Sequence, residues 1–316
     1  MPLEVFDLRA FTHKIETTEG TDAEPTPAAD AILLHNGSGQ ISVDELERNI
    51  DNPQGGAKPY VPIRRRGMIT GEIELAGAAT VGTAAPIGRL LRSHGHTEVL
   101  ESGPPAQALY TPVLHGFPSA SSYFYHGGEL FKIVGGRGRL TSIDLAINDF
   151  PKAGIEIMGK VEAVEEAAVP TTIDTSAFQD PIVGTEDKMT ILLDGEALEG
   201  VSLSLDPGIS LNMVYHTEAT VSRQSIRAVT GTLRVYRPLV ATADIRSMAR
   251  SAAKVPMIVD YLHETPARSL FLTAPRVQIG EPQIAELDGL VVWDIPVRLL
   301  PDDGNDDYTL GFGLRQ

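Results

Sequence analysis

The sequence predicts a mainly β protein built as two tandem antiparallel β-sandwiches, each with one short α-helix and one long arm loop. Three observations lead to this prediction. Short apolar runs rich in Ile, Val, Leu and Thr alternate with polar residues, and 30 Gly and 22 Pro separate them. Only two segments have the periodicity of a helix. Several runs of the first half recur about 160 residues later in the second half.

Composition and charge limit the functions that the chain can have. The 316 residues are 42% hydrophobic and 22% charged, which excludes a disordered or fibrous protein. The net charge of -16 repels nucleic acid phosphates and anionic membranes, so a sequence-specific DNA-binding protein is disfavoured. Without cysteine, disulfides, thiolate catalysis and Cys-ligated metals are excluded. We expect a cytoplasmic product, since neither a secretory signal nor a membrane span is recognisable.

Changes of composition divide the chain into four segments. Residues 1–30 are polar and rich in Pro and Ala, which is typical of an N-terminal arm. Residues 31–161 form the first predicted sandwich and residues 185–316 form the second. Between them, residues 162–184 combine acidic residues, Ala and Pro without strict alternation, and are interpreted as a linker.

The two halves resemble each other in three places. The strand-like run ITGEIEL at 69–75 matches VTGTLRV at 229–235, and ISV at 41–43 matches VSL at 201–203 with the same separation. ILLHNG at 32–37 resembles ILLDG at 191–195. Alternating strands resemble one another by chance, so unrelated strands are the alternative, but two ungapped matches favour a duplication.

Each half also contains one helix candidate after its Thr-Gly strand. In the first half Pro86 fits the first turn, Ile87, Leu90 and Leu91 form an apolar stripe, and Gly95 fits the C-terminal end. In the second half Thr242 or Asp244 can cap the helix. There the stripe consists of Ile245, Met248, Ala249 and Ala252, and Pro256 ends it.

Two polar segments are too long for ordinary turns. Residues 48–66 and 207–227 exceed the 12 to 15 residues that compact domains usually tolerate without a function. They are either disordered surface loops or arms that reach a neighbouring subunit. The candidate contact residues in these arms are Tyr60, Arg64, Arg65, Arg66, Tyr215 and Arg223. The three consecutive arginines are interpreted as a salt-bridging patch for an acidic neighbour.

Four carboxylates lie on the predicted wet faces of strands, where apolar and polar residues alternate. They are Glu72, Glu74, Asp144 and Glu156.

Other motifs suggest chemistry only superficially. Gly135, Gly136, Arg137 and Gly138 lack the Lys and Ser/Thr of a phosphate loop, so we interpret them as a turn between strands. His94 and His96, near Glu98, could share a metal, but exposed histidines are common at a helix C-terminus.

Two further features have structural explanations. The acidic run PDDGNDD at 301–307 lacks the ligand ladder of a calcium loop and is interpreted as a hairpin turn, with adventitious cation binding as the alternative. Trp293, the one tryptophan, lies in a strand-like run and is expected in the core instead of on a sugar-binding platform. No spacing pairs a nucleophile with a base. We therefore predict no catalytic, cofactor-binding or metal-ligating residue and no cofactor.

The order of several motifs resembles the major tail tube proteins of long-tailed, non-contractile bacteriophages, the siphophages. The motifs are EGTD at 19–22, AILLHNG at 31–37, APIGRLLRSHG at 85–95, YTP at 110–112, YHGGELFK at 125–132, GGRG at 135–138, FP at 150–151, the strand ending at Gly159, APRVQI at 274–279, DGL at 288–290 and GNDD at 304–307. None is specific by itself, but their order spans nearly the whole chain.

The resemblance implies a structural virion protein, not an enzyme. It implies tail-tube-like sandwiches that self-assemble head-to-tail into stacked rings, whose inner strands form a barrel around the channel for DNA ejection. The implied location is the tail of the virion, after assembly in the host cytoplasm. Implied partners are further copies of the chain, a tape measure protein, and tail tip and tail terminator proteins. DNA passes transiently and no membrane is involved, and the four carboxylates become candidates for the channel wall.

Two questions stay open at this point. Two sandwiches per chain favour a trimeric ring with pseudo-sixfold symmetry over six chains with one half outside. The alternative functions are a tail-tip, baseplate or terminator ring protein of the same particle, or a β-sandwich binding module or hydrolase.

Overall fold

The computed structural model describes residues 8–49, 56–215, 220–302, 304 and 306–315. It confirms a mainly β, antiparallel protein with two helices. The elements of the first half are β1 (Arg9–Ile15), β2 (His35–Glu47), β3 (Tyr60–Glu74), α1 (Gly88–Ser93), β4 (His96–Glu101), β5 (Gln107–Pro112), β6 (Ala120–His126), β7 (Glu129–Ala146) and β8 (Lys152–Glu166). Those of the second half are β9 (Met189–Leu193), β10 (Glu196–Leu198), β11 (Gly200–Asp206), β12 (Leu211–Tyr215), β13 (Thr220–Gln224), β14 (Thr230–Tyr236), α2 (Ile245–Ser251), β15 (Lys254–Tyr261), a 3-10 turn (Pro266–Arg268), β16 (Leu270–Ile279), β17 (Gln283–Leu287), β18 (Leu290–Leu300) and β19 (Thr309–Gly313).

One antiparallel sheet runs through both halves in the order β2-β3-β8-β7-β11-β14-β18, with β17 at its far edge. The halves join where residues 143–146 of β7 pair with residues 202–205 of β11. The amino-terminal part of β7 pairs with β6, which in turn pairs with β1. We call the main sheet the shared sheet.

A second run of strands also connects the halves. Its order is β4-β5-β19-β16-β15-β9-β10, so the C-terminal strand β19 lies between a hairpin of the first half and β16 of the second. The C-terminal strand therefore fastens the second half to the first.

Side chains from both runs of strands meet in one hydrophobic core. Ile73 and Tyr110 of the first half and Leu233 and Leu272 of the second are all fully buried in it. Trp293 is buried as predicted, with 6% of its surface exposed. The division at residues 162–184 stays a prediction, since sheet and core continue across it.

Two segments differ from the expectation of an arm and a linker. Within the predicted N-terminal arm, Arg9–Ile15 form β1, whose Phe11 is buried in the core, because this short run carries enough apolar surface to pack on β6. Residues 1–7 lie outside the described residues. Within the predicted linker, β8 continues to Glu166 and only the following residues lack regular structure.

Both predicted helices are confirmed. In α1, Leu90 and Leu91 are fully buried, and Gly95 follows the helix with a φ of 82°. In α2, Asp244 is the N-cap and its carboxylate accepts a hydrogen bond from the Ser247 amide. The helix ends at Ala252 in the left-handed conformation, before Pro256, because three residues separate this cap from the proline.

The structure supports one of the three repeat matches by strand pairing. Ile73 pairs with Ala153, and Leu233, 160 residues after Ile73, pairs with Ile295 in the equivalent position. The 41–43 and 201–203 match is out of register, because Ser204, opposite Thr232, is equivalent to His35, opposite Glu72. The match at 191–195 is wrong as well, since β9 pairs with β15 and the run at 32–37 leads into β2.

The two predicted arm loops are hairpins. Residues 42–47 of β2 and 60–65 of β3 extend beyond the last residue of β3 that pairs with β8, and they pair only with each other. In the second half, β12 and β13 form a separate two-stranded sheet between β11 and β14. We call them the first arm and the second arm. Apolar residues alternate with charged ones in the first arm, and this pattern favours a strand over a loop.

Candidate functional site

The shared sheet has two chemically different ends. Because neighbouring strands are antiparallel, β3, β7 and β14 run in one direction. Both arms lie at the end where β3 and β14 begin, which we call the arm end. The turn end, at the opposite side, carries the turn between β7 and β8, the segment 237–242 after β14, and the turn between β17 and β18.

One face of the shared sheet is polar across both halves. A row of opposed residues crosses six strands: Glu74, Lys152, Asp144, Ser204, Thr232 and Pro296. Residues directly opposite each other share a face, while the alternate residues, such as Ile73 and Ile143, are buried in the core. The row gives the two halves one continuous polar surface.

The four predicted wall carboxylates all lie on this polar face, and each has a partner. Glu74 lies 3.0 Å from Nε2 of His35. Asp144 accepts hydrogen bonds from the hydroxyls of Ser142 and Ser204. Glu156 accepts two hydrogen bonds from Arg139, with the Nη2 donor at 2.7 Å. Glu72 lies opposite His35. Their position in a channel wall stays a prediction.

The second half adds a charge pair that the sequence gave no signal for. The Arg234 guanidinium donates to both carboxylate oxygens of Asp294, at 2.6 and 2.8 Å. These hydrogen bonds lower the pKa of Asp294 and raise that of Arg234. Because charges of opposite sign alternate here, the polar face is only weakly acidic locally.

The first arm exposes both apolar and basic side chains. Tyr60 is 58% exposed. Arg66 lies 3.7 Å from Asp44, and the Arg64 guanidinium stacks 4.3 Å from the centre of the Tyr215 ring in the second arm. Arg65 is exposed and has no ion pair among the described residues. The exposed apolar residues of this hairpin are Ile41, Val43, Leu46, Tyr60, Val61 and Ile63.

The second arm folds onto the first half of the same chain. Arg137 donates to the Ser222 carbonyl at 3.1 Å, Gln224 donates to the Gly138 carbonyl, and Arg139 donates to the Ile209 carbonyl at 2.7 Å. These contacts cover the edge of β7 between β6 and β11. Arg223 is exposed. A contact of Tyr215 or Arg223 with a second subunit stays a prediction, and residues 216–219 lie outside the described residues.

The GGRG motif was predicted as a turn, and this is wrong, because residues 135–138 lie inside β7. A bulge between Val134 and Arg137 lets the strand bend without ending. There Gly135 has a φ of 61° and donates to the Glu16 carboxylate. The bulged Arg137 is buried and binds Glu19, whose pKa is lowered by this hydrogen bond.

His94 and His96 were expected to be exposed at the end of α1, and this is also wrong. Both are buried, and Nδ1 of each lies within hydrogen-bond distance of a backbone carbonyl of the helix. Nε2 of His96 is 2.9 Å from the Tyr308 hydroxyl. Burial lowers the pKa of His94 to about 3 and that of His96 to about 4. Both rings are therefore neutral at neutral pH.

Acid is expected to destabilise the protein through these histidines. Their pKa is lower in the folded than in the unfolded chain, where it is about 6.5. The unfolded chain thus binds more protons between about pH 6.5 and 4, and stability falls as the pH falls through this range. Each group contributes up to about 1.4 kcal/mol per pH unit. Urea unfolding at pH 7, 6 and 5 measures this slope.

The matched variants are His96→Gln and His115→Gln, the latter at an exposed position. Relative to the parent, the slope should be smaller in His96→Gln and unchanged in His115→Gln. Equal slopes in all three proteins would contradict the assignment.

The acidic run at 301–307 is only partly described, since Asp303 and Asn305 lie outside the described residues. Asp302 pairs with Arg276 at 3.3 Å and the buried Asp307 pairs with Arg227. Among the described residues, no group of three histidine, aspartate or glutamate side chains is placed to hold a metal ion.

The turn end is acidic and apolar at the same time. Its exposed carboxylates, none of which forms an ion pair in the described part of the chain, are Glu186, Asp187, Asp194, Glu196, Glu199, Glu286 and Asp288. The backbone ties their segments to the ends of strands: the Tyr236 amide donates to the Glu199 carbonyl at 2.9 Å, and the Asn148 amide donates to the Gly184 carbonyl at 2.7 Å. The sequence analysis missed this surface because its members are scattered along the chain.

Four large apolar residues are exposed within the turn end, and we call them the turn-end patch. They are Leu239, Val240, Leu290 and Val291, which are between 50% and 75% exposed. The Arg237 amide donates to the Val291 carbonyl, so the two segments are adjacent. An apolar patch of this kind, rimmed by charge, is typical of an interaction surface.

Comparison with known proteins identifies the family. Within the described residues, no helix has the length and apolar character needed to cross a membrane. No curated protein matches the sequence. A family model described as phage tail tube protein matches residues 8–295, which is most of the chain. The chain therefore belongs to the phage tail tube protein family.

Proposed function

We propose that the chain polymerises as stacked rings into the tube of a long, non-contractile phage tail, through which genome DNA is ejected. The observation that carries the proposal is the polar face of the shared sheet, which continues across both halves of the chain. A tube needs such a face toward its channel. The family membership supports a structural, non-enzymatic role in the virion tail.

Charge supports the passage of DNA in preference to its binding. With a net charge of -16, and with the arginines of the polar face paired to carboxylates, few cations are free to neutralise phosphates. Proteins that hold DNA release counterions through many free Lys and Arg contacts. Glu72, Glu74, Asp144 and Glu156 are the proposed wall residues of the first half.

The join between β7 and β11 supports three chains per ring. It places two sheet segments of one chain side by side, as neighbouring subunits of a ring would be placed. The far edge strand β17 ends the shared sheet with Ile284 69% exposed, whereas Leu145, its equivalent in β7, is buried under β11. A further chain that covers Ile284 would continue the sheet, and three chains would then supply six similar segments.

The proposal also includes the partners and the site of assembly. The ring stack forms in the host cytoplasm from copies of this chain. It ends at tail tip and tail terminator proteins and encloses a tape measure protein. A ring protein of the tail tip, baseplate or terminator is the alternative, and it would form one or a few rings instead of a long stack.

Negative-stain electron microscopy of the purified protein tests the proposal. At raised concentration, or after addition of tail tips, hollow tubes of uniform width are expected, and end-on averages should show three chains in a ring. Isolated rings without stacking would favour the alternative. A protein that stays monomeric under every condition would overturn the tube assignment.

A further inference from the structure

The two ends of the shared sheet are complementary in charge. At the arm end, Arg48, Lys58 and Arg65 are exposed and form no ion pair among the described residues. At the turn end, seven exposed carboxylates are equally unpaired and only Lys188 and Arg237 add exposed positive charge beside them. Unpaired charges of opposite sign at opposite ends attract each other only between two molecules.

Both ends also expose apolar side chains that a monomer would be expected to bury. The first arm is a two-stranded hairpin, and such hairpins are marginally stable alone in water. Its Leu46 and Tyr60 are 59% and 58% exposed, and Leu239 of the turn-end patch is 75% exposed. Burial stabilises by about 25 cal/mol per Å² of apolar surface, so both surfaces gain when they meet.

We propose that the first arm of one chain docks on the turn-end patch of a second copy, with Arg48 and Arg65 facing Glu199 and Asp288. This contact rests on the proposed function, because it supplies the joint between one ring and the next. It is heterologous, since two different surfaces meet, and it generates a filament when the rotation does not close. Charge fixes the direction, because two arm ends or two turn ends repel each other.

Charge reversal and its compensation test the docking. Arg48→Glu/Arg65→Glu places carboxylates against the acidic turn end, and Glu199→Lys/Asp288→Lys places cations against the basic arm. Each double variant should raise the protein concentration needed for polymerisation about tenfold or more. The quadruple variant should restore tube formation toward the wild-type concentration, because the attraction is re-formed with its signs exchanged.

The control variant is Arg250→Glu, an exposed reversal on α2 outside both ends, which should polymerise like the wild type. Far-UV circular dichroism and the melting temperature report the fold of each monomer. If a reversed variant does not fold, the neutral variants Arg48→Gln/Arg65→Gln and Glu199→Gln/Asp288→Asn replace it, with a smaller rise expected for each.

The outcomes separate this inference from the proposed function. Wild-type tubes together with double variants that polymerise equally well would overturn the docking and leave the tube function standing. A quadruple variant no better than either double variant would overturn the pairing of these surfaces. A wild-type protein that forms no tubes under any condition would remove the proposed function itself.

Discussion

Replacing Gly138 with alanine is expected to destabilise the protein by about 3 kcal/mol, the upper part of the range for overpacked cores. A Cβ atom at position 138 would overlap the imidazole of His94. That ring cannot move away, because it is fully buried and Nδ1 is held 2.6 Å from the Leu90 carbonyl. The backbone of β7 is fixed as well, since it pairs with β8 on one side and accepts from Gln224 of the second arm.

Urea unfolding of the purified variant measures this loss. Gly103→Ala is the matched control, because a Cβ there meets open space. In the double variant Gly138→Ala/His94→Ala the clash is absent, so the two changes should cost less together than the sum of the single changes. If Gly138→Ala is as stable as Gly103→Ala, the close approach of β7 to the helix is wrong.

Shortening the first arm is expected to abolish polymerisation while leaving the monomer folded. In the variant, residues 45–63 are replaced by an Asn-Gly turn that joins Asp44 to Arg64, which lie opposite each other in the hairpin. The monomer should lose less than about 1 kcal/mol, because surface groups contribute little to stability. The large apolar side chains removed are all at least 45% exposed: Leu46, Tyr60, Val61 and Ile63.

Sedimentation velocity and electron microscopy read out assembly, and thermal unfolding reads out the monomer. A full-length control, Leu46→Ser/Tyr60→Ser, removes apolar surface without shortening the hairpin and should weaken polymerisation to a lesser degree. Tubes of normal width and length from the shortened chain would show that the first arm has no part in assembly.

Local patterns in the sequence predicted the elements that depend on neighbours in the chain. The alternation at 69–75 becomes β3, with Ile69 and Ile73 fully buried. Asp244 caps α2 because the capping bond needs only the residues of one helical turn. The family resemblance was likewise readable, because it depends on the order of motifs.

Features that depend on distant residues were not readable. The burial of His94 requires the bare backbone of Gly138, 44 residues away, and Tyr308 shields His96 from the other end of the chain. The strand register also escaped prediction. Period-2 patterns match at many shifts, so the sequence paired Ile41 with Val201, whereas the sheet makes His35 equivalent to Ser204.

The join between β7 and β11 has a consequence for the kinetics of assembly. Two sheet segments that belong to one polypeptide meet at an effective concentration set by the connecting chain, which reaches the millimolar range for short connections. That contact forms at any dilution, with Leu145 and Leu203 already buried. If three chains close a ring, half of its six lateral contacts are then made before the first encounter, and only the other half depend on how much protein the cell has produced.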